Sequence, residues 1–375
     1  MSEVSQPPTS PWGAVAAGLA PRTPGGGLID LQHDGLVRVS FAADGAPRPE
    51  VEALLDEALT VRRSENARVC ITIHRTHLEE AARQTRWIEL LLGAFDHATE
   101  PAPLPRLVGV LNVTPDSFSD GGRFSTVSDA LDHGRELREA GAAIIDVGGE
   151  STRPGASPVD EAEELKRVLP VVEALVAEGL GPISIDTRRS RVAERALDAG
   201  ATIVNDIEAG TRDRDMLRVV ADRRANYVAM HMLGSPANMQ DGPDYEDVVG
   251  EVAEFLRGRV EACLAAGIPQ ERVWLDPGIG FGKRLEHNLE LLDGLSELRS
   301  LGRPLLVGVS RKRFIGTLTE ESVPERRKFG TAAAVAACVS GGAEYLRVHD
   351  VAEMRAVVAV SSALALTSNR QEAPC

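Results

Sequence analysis

From about residue 107 onward, short runs of Val, Ile and Leu repeatedly end in a polar residue that a buried strand has no use for. Eight such ends follow one another: Asn112, Asp146, Asp186, the pair Asn205-Asp206, His231, Asp276, Ser310 and His349. The segments between them carry helical periodicity, with helices expected near Val127–Ala140, Asp160–Glu178, Ser190–Ala199, Asp213–Asp222, Tyr245–Ala266, Leu285–Ser300, Glu325–Ser340 and Val351–Leu366. Strand then helix, repeated eight times over roughly 260 residues, is the rhythm of a (β/α)8 barrel. Such a barrel gathers the C-terminal ends of its strands on one face, so the eight polar ends are expected at one mouth.

The 375 residues, 43% hydrophobic and 26% charged, suffice for one large domain and a smaller one. The expected order is an unstructured segment 1–27, rich in Pro, Gly and Ala, then an N-terminal extension 28–97 and a Pro-rich linker 98–105. The barrel follows over 106–367, with a short tail 368–375. Within the extension, Leu36–Phe41 and Arg68–His74 read as strands, and Pro49–Arg63 and Leu78–Phe95 as helices, giving a small α+β domain ahead of the α/β barrel. His74 and His77 invite a metal reading, but no third ligand lies nearby, and an ordinary surface pair is expected.

No window approaches the roughly 18 uninterrupted apolar residues of a membrane span, and Glu3 with no early Lys or Arg does not suit a signal peptide. A cytoplasmic protein is expected. The four cysteines lack the spacing of a zinc site or disulfide framework. A net charge of −15 argues against nucleic-acid partners. Against that background, Ser310-Arg311-Lys312-Arg313 and Arg347 with His349 stand out as positive charge at the mouth, where a small anion would find it. The alternative for Arg311 and Arg313 is solvation of a helix start.

Two loops are too long and too polar for minimal strand-to-helix turns. They are Asn112–Gly122, carrying Pro115, Asp116 and Phe118, and Gly148–Gly155, carrying Thr152 and Arg153. Both have the composition of flaps that close over a ligand. Asp186, Asn205 and Asp276 bring two carboxylates and an amide to the mouth, a set suited to the N–H and amide-like edges of a flat heterocycle. Lys312 is placed to pair with Asp276 or to donate to a ligand carbonyl. The run Asp276-Pro277-Gly278-Ile279-Gly280-Phe281-Gly282-Lys283 lacks the spacing of a phosphate loop, because Arg284 follows the lysine. Its glycines are expected to let the backbone approach a ring, with Phe281 lining the pocket.

From about Arg106 to Leu366 the chain resembles the bacterial dihydropteroate synthases, folate-pathway enzymes that join a pterin diphosphate to 4-aminobenzoate. The resemblance rests on Leu111–Gly122, Asp146–Gly155, Ser184–Thr187, Asn205-Asp206, Asp276–Lys283, Ser310–Lys312 and Arg347–Asp350. It implies that Asp146, Asp186, Asn205, Asp276 and Lys312 hold the pterin in a slot lined by Met230 and Phe281, with Arg347 stacked on the ring. It implies an anion pocket for the diphosphate at Asn112, Arg153, Arg347 and His349, with Mg²⁺ at Asn112. It further implies 4-aminobenzoate between the flaps near Pro115, Phe118 and Thr152, Asp116 assisting bond cleavage, and Ser310 as a binding or structural residue. A homodimer and inhibition by sulfonamides are implied as well. Two rivals share the fold: a pterin-dependent methyltransferase, disfavoured by the anion-binding set, and a noncatalytic pterin sensor, which would have no use for the flaps. The N-terminal hundred residues lie outside the resemblance.

Overall fold

The structure, a computed structural model, describes residues 22–23, 27–32, 36–42, 60–63, 68–74, 77, 104–113, 127–151, 159–236, 238–299 and 301–371. The described N-terminal residues form a five-stranded antiparallel sheet of β1 (Arg22–Thr23), β2 (Gly27–Gln32), β3 (Leu36–Ala42), β4 (Thr60–Arg63) and β5 (Arg68–His74), in the order β1-β2-β3-β5-β4. Strands β3 and β5 lie where the alternating sequence put them. Strands β1 and the start of β2 fall within the segment 1–27 expected to lack structure.

The helix expected over Pro49–Arg63 is corrected at its end, because Thr60–Arg63 pairs antiparallel with β5 as Thr60↔Thr72 to Arg63↔Val69. β-branched Thr60 and Val61 next to a β-rich partner strand favour the ladder over a last helical turn. The remainder of that helix, the helix at Leu78–Phe95 and the linker up to residue 103 lie outside the described residues.

The barrel strands are β6 (Arg106–Asn112), β7 (Ile144–Gly148), β8 (Ile183–Asp186), β9 (Ile203–Asp206), β10 (Asn226–Met230), β11 (Val273–Asp276), β12 (Leu306–Gly308) and β13 (Tyr345–Val348). All pair in parallel in the order β11-β10-β9-β8-β7-β6-β13-β12. A parallel bridge between Leu275 and Leu305 joins the two ends of this sheet and closes the barrel. The predicted (β/α)8 architecture is therefore present.

Helices α1 (Val127–Ala140), α2 (Glu161–Ala177), α3 (Ser190–Asp198), α4 (Met216–Asp222), α5 (Val248–Ala265), α6 (Leu285–Asp293), α7 (Leu295–Arg299), α8 (Arg313–Thr319), α9 (Lys328–Ser340) and α10 (Val351–Gln371) punctuate the strands. Several differ from expectation for local reasons. Helix α5 begins at Val248 because Asp247 caps it, accepting from the Gly250 amide at 3.0 Å. The single helix expected over Leu285–Ser300 is split at Gly294. Helix α8 was hidden in what read as a basic cluster. Helix α10 runs to Gln371, into the segment 368–375 expected as a tail.

Alternation along the strands decides what fills the interior. One buried layer consists of Val108, Ile144, Ile203, Val228, Trp274 and Leu306, packed with Ala143 and Tyr345. The Trp274 and Tyr345 rings stack with centroids 4.0 Å apart. Two residues further along each strand, on the same face, stand Asp146, Asn205, Met230, Asp276, Gly308 and Arg347, with Asn112 four on from Val108. Apolar packing thus seals one end of the barrel and polar chemistry occupies the other. This arrangement follows from a period of two acting on strands that all point the same way.

Candidate active site

Strand register brings the polar tips side by side. Asn112 pairs with Gly148, Gly148 with Asp186, Asp186 with Asn205, Met230 with Asp276, and Gly308 with Arg347. At their centre is Arg347, whose Nε donates to Asp146 Oδ2 at 2.6 Å and whose Nη2 donates to Asp186 Oδ2 at 2.8 Å. Asn205 Nδ2 donates to the same Asp146 oxygen at 3.1 Å. Asp146 Oδ1 and Asn205 Oδ1 are buried acceptors with no hydrogen-bond partner among the described residues. Buried acceptors left unmet by the protein are costly, and they mark a surface built to receive N–H donors.

Burial pushes the Asp186 carboxyl up to about 7, against the opposing pull of Arg347, with Asp146 adding to the rise. Burial also raises Asp276, opposed by the charge of Lys312, while its Oδ1 accepts from the Gly278 amide at 2.6 Å. Lys312 is pushed down by burial to about 8. Its ammonium donates to the Ile279 carbonyl and lies 4.7 Å from the centre of the Phe281 ring. Met230 is buried beside Asp276 and Phe281 is half-buried. The slot therefore offers fixed acceptors at one edge and a cation with a carbonyl-binding role at another.

At the neighbouring tips, Ser310 Oγ lies 3.0 Å from His349 Nδ1 and accepts from the His349 amide at 3.2 Å. Arg311 makes a two-pronged bond to Asp350, 3.0 Å through Nε and 2.7 Å through Nη2. The positive cluster read from sequence is thus partly committed: Arg311 to Asp350, and Arg347 to two carboxylates. Arg313 is exposed at the start of α8. Asn112 Oδ1 faces the space above Gly148, where an added Cβ would lie 3.4 Å from it and 3.6 Å from Asp186 Cβ. Pro115, Asp116, Phe118, Thr152 and Arg153 lie outside the described residues.

Three groupings carried no role in the sequence reading. Glu150 accepts from Arg188, Arg189 and the Val159 amide, tying the base of the second loop to the start of the third. Asp206 turns away from the slot, accepting from Tyr227 Oη at 2.8 Å and from the amides of Glu208 and Gly210. Lys283 is buried against His231. These partners sit largely on other strands and loops, so local sequence gave no signal beyond the polar type itself.

A parallel barrel whose strand tips assemble carboxylates, an amide and a lysine, with an arginine at their centre and a histidine at a neighbouring tip, defines a barrel enzyme for a nitrogen heterocycle bearing an anionic group. Comparison makes the class definite. Residues 108–349 match the family model described as pterin binding enzyme. The dihydropteroate synthase of Synechocystis is 46% identical over 258 residues, 69% of this chain and 89% of that protein. Among solved structures, Xanthomonas albilineans dihydropteroate synthase with 4-aminobenzoic acid is 47% identical, covering 72% of this chain and 94% of that one, with a TM-score of 0.66. Yersinia pestis dihydropteroate synthase in a sulfonamide drug complex is 44% identical over 69% of this chain and 94% of that one, also with a TM-score of 0.66. The chain belongs to the pterin-binding enzymes, in the dihydropteroate synthase family.

Proposed function

We propose that the chain condenses 6-hydroxymethyl-7,8-dihydropterin diphosphate with 4-aminobenzoate, giving 7,8-dihydropteroate and diphosphate. The observation that carries this reading is the pair of unmet buried acceptors, Asp146 Oδ1 and Asn205 Oδ1, beside Asp186 and Asp276 in one slot. A pterin offers a row of ring and amino N–H donors to such acceptors, and its ring carbonyl suits Lys312. The relatives named above support the assignment.

In the reaction, the C–O bond between the pterin methylene and the diphosphate breaks, and the arylamine nitrogen forms the new C–N bond and loses a proton. Arg347, at the centre of the tips, and His349, at a neighbouring tip, are proposed to stabilise the negative charge that grows on the leaving group. Asp186 sits where positive charge develops on the pterin. Burial raises its carboxyl while the Arg347 guanidinium 2.8 Å away favours the carboxylate. No protein nucleophile is required. Asp116, Arg153, Thr152, Pro115 and Phe118 are proposed to act from the two loops as the family resemblance implies.

Asn112 fits a Mg²⁺ ion in donor type: its amide oxygen stands over Gly148 beside Asp186, and Mg²⁺ characteristically takes one or two protein oxygens alongside substrate phosphates. When bound, the ion would neutralise diphosphate charge. Chelation by EDTA is expected to abolish turnover and added Mg²⁺ to restore it; full activity in excess chelator contradicts this. We also propose a cytoplasmic homodimer joined through α9 and α10, supported by the exposure of Phe329 (90%) and Val360 (62%) on those two packed helices.

The direct test is equilibrium binding of the dihydropterin diphosphate to the purified protein, compared with Asp276→Asn. Binding by the wild type, weakened about a hundredfold in the variant, is expected, because Asn replaces one carboxylate oxygen by an N–H donor that faces the N–H groups of the pterin, and removes the charge from the remaining acceptor. Failure of the folded wild-type protein to bind the pterin overturns the reading.

A further inference from the structure

The last residue of the Asp276–Lys283 run has no place in the scheme above, yet it is one of the most deeply buried charges in the barrel. Lys283 is 3% exposed, and burial pushes its ammonium down to about 7 against the pull of Asp276. An ammonium has three N–H donors, and three acceptors surround this one: His231 Nδ1 at 2.9 Å, the Phe281 carbonyl at 3.0 Å and the His231 carbonyl at 3.4 Å. Two of these belong to the end of β10 and one to the turn after β11. Lys283 therefore bonds two neighbouring strand tips together.

The two backbones approach very closely here. A Cβ on Gly278, whose φ is +67°, would lie 1.9 Å from the His231 carbonyl oxygen, and one on Gly282, φ +61°, would lie 2.6 Å from that of Leu233. Only glycines allow this contact. His231 is fixed in turn by an edge-on contact with Phe255, ring centroids 4.9 Å apart. Burial and the nearby Lys283 charge push His231 down to about 3, so it stays neutral and presents Nδ1 as an acceptor. Beyond the clamp, the same turn delivers the Ile279 carbonyl and the Phe281 ring to Lys312, and the Gly278 amide to Asp276.

We propose that Lys283 is a positioning residue for pterin recognition, holding the Asp276–Lys283 turn against the end of β10 so that Phe281, Ile279 and Asp276 meet Lys312 in the geometry of the slot. It touches no ligand. The inference rests on the pterin reading of the site. Without the ammonium, the His231 and Phe281 carbonyls lose a buried donor and the turn loses its hold on the strand tip.

The experiment compares wild type, Lys283→Met and His231→Leu in the full chain, measuring the dissociation constant of the dihydropterin diphosphate, the Michaelis constants for both substrates, and Tm. Lys283→Met is expected to weaken pterin binding tenfold or more, while the Michaelis constant for the arylamine substrate changes less than twofold. His231→Leu, which removes one of the three acceptors, is expected to weaken pterin binding three- to tenfold. A lysine that serves only folding would lower Tm and leave both affinities of the folded protein unchanged, which overturns the proposal; so does equal weakening of both substrates. Should Lys283→Met not fold, unchanged pterin affinity in His231→Leu overturns it and the expected loss supports it. Wild type that binds no pterin removes the functional reading itself, an outcome distinct from a variant that binds as well as wild type.

Discussion

Arg347 holds Asp146 and Asp186 in one buried cluster, and both carboxylates lose their cation if it is removed. Stripping one partner from a buried ion pair costs about 3–5 kcal/mol. Arg347→Ala is therefore expected to lower unfolding free energy by that order, measured by denaturant titration, and to cut kcat/KM by orders of magnitude. Near-wild-type stability would contradict the cluster. Asp206 gives a pH test. Burial pushes its carboxyl up to about 6 in the fold, above its ordinary 3.8, so the folded chain holds this proton more tightly than the unfolded one. The resulting stability is complete below about pH 4 and lost as pH rises through about 6. Asp206→Asn should flatten the decline of unfolding free energy over that window, and an unaltered slope would refute the shift. Neither residue's partners were legible beforehand: Arg347 bonds carboxylates 201 and 161 positions away.

The turns and strands carry the slot, and their legibility was uneven. The strand tips could be read because period-two alternation forces a residue two beyond an inward apolar one to face inward too. Asn112, Asp146, Asp186, Asn205 and Asp276 were read as polar ends of apolar runs and Arg347 as positive charge at the mouth, and the alternation explains why they converge. Helix breaks were not, since the split at Gly294 depends on α5: a Cβ there would lie 2.8 Å from Val249 Cγ2. The short α8 was masked because its first residue belongs to a run of basic residues. The glycines of the Asp276–Lys283 turn were read as allowing a close approach, though to a ring; the contact present is with the His231 backbone. Gly278→Ala should therefore cost about 2–4 kcal/mol, from left-handed strain plus overlap with that carbonyl, and show as a lowered denaturation midpoint with weakened pterin binding. An alanine variant as stable as wild type would mean the approach is looser than described.

At the scale of the molecule, one barrel supplies every described residue of the slot, and the N-terminal sheet is a separate antiparallel unit that the family match does not reach. Its role was not legible, because no motif within it carries chemistry. If α9 and α10 form the dimer face, light scattering should give twice the chain mass of 40.0 kDa, and Phe329→Glu should yield a monomer; a wild-type monomer refutes the interface. Sulfonamides should inhibit competitively with 4-aminobenzoate, checked by the dependence of inhibition on its concentration. The central claim is tested most directly by supplying the purified protein with Mg²⁺, 6-hydroxymethyl-7,8-dihydropterin diphosphate and 4-aminobenzoate, for the full chain and for residues 101–375, and quantifying dihydropteroate and released diphosphate. Equimolar formation of both products by both forms is the predicted result. A folded full-length protein that binds the pterin yet releases no diphosphate in the presence of 4-aminobenzoate would contradict the account.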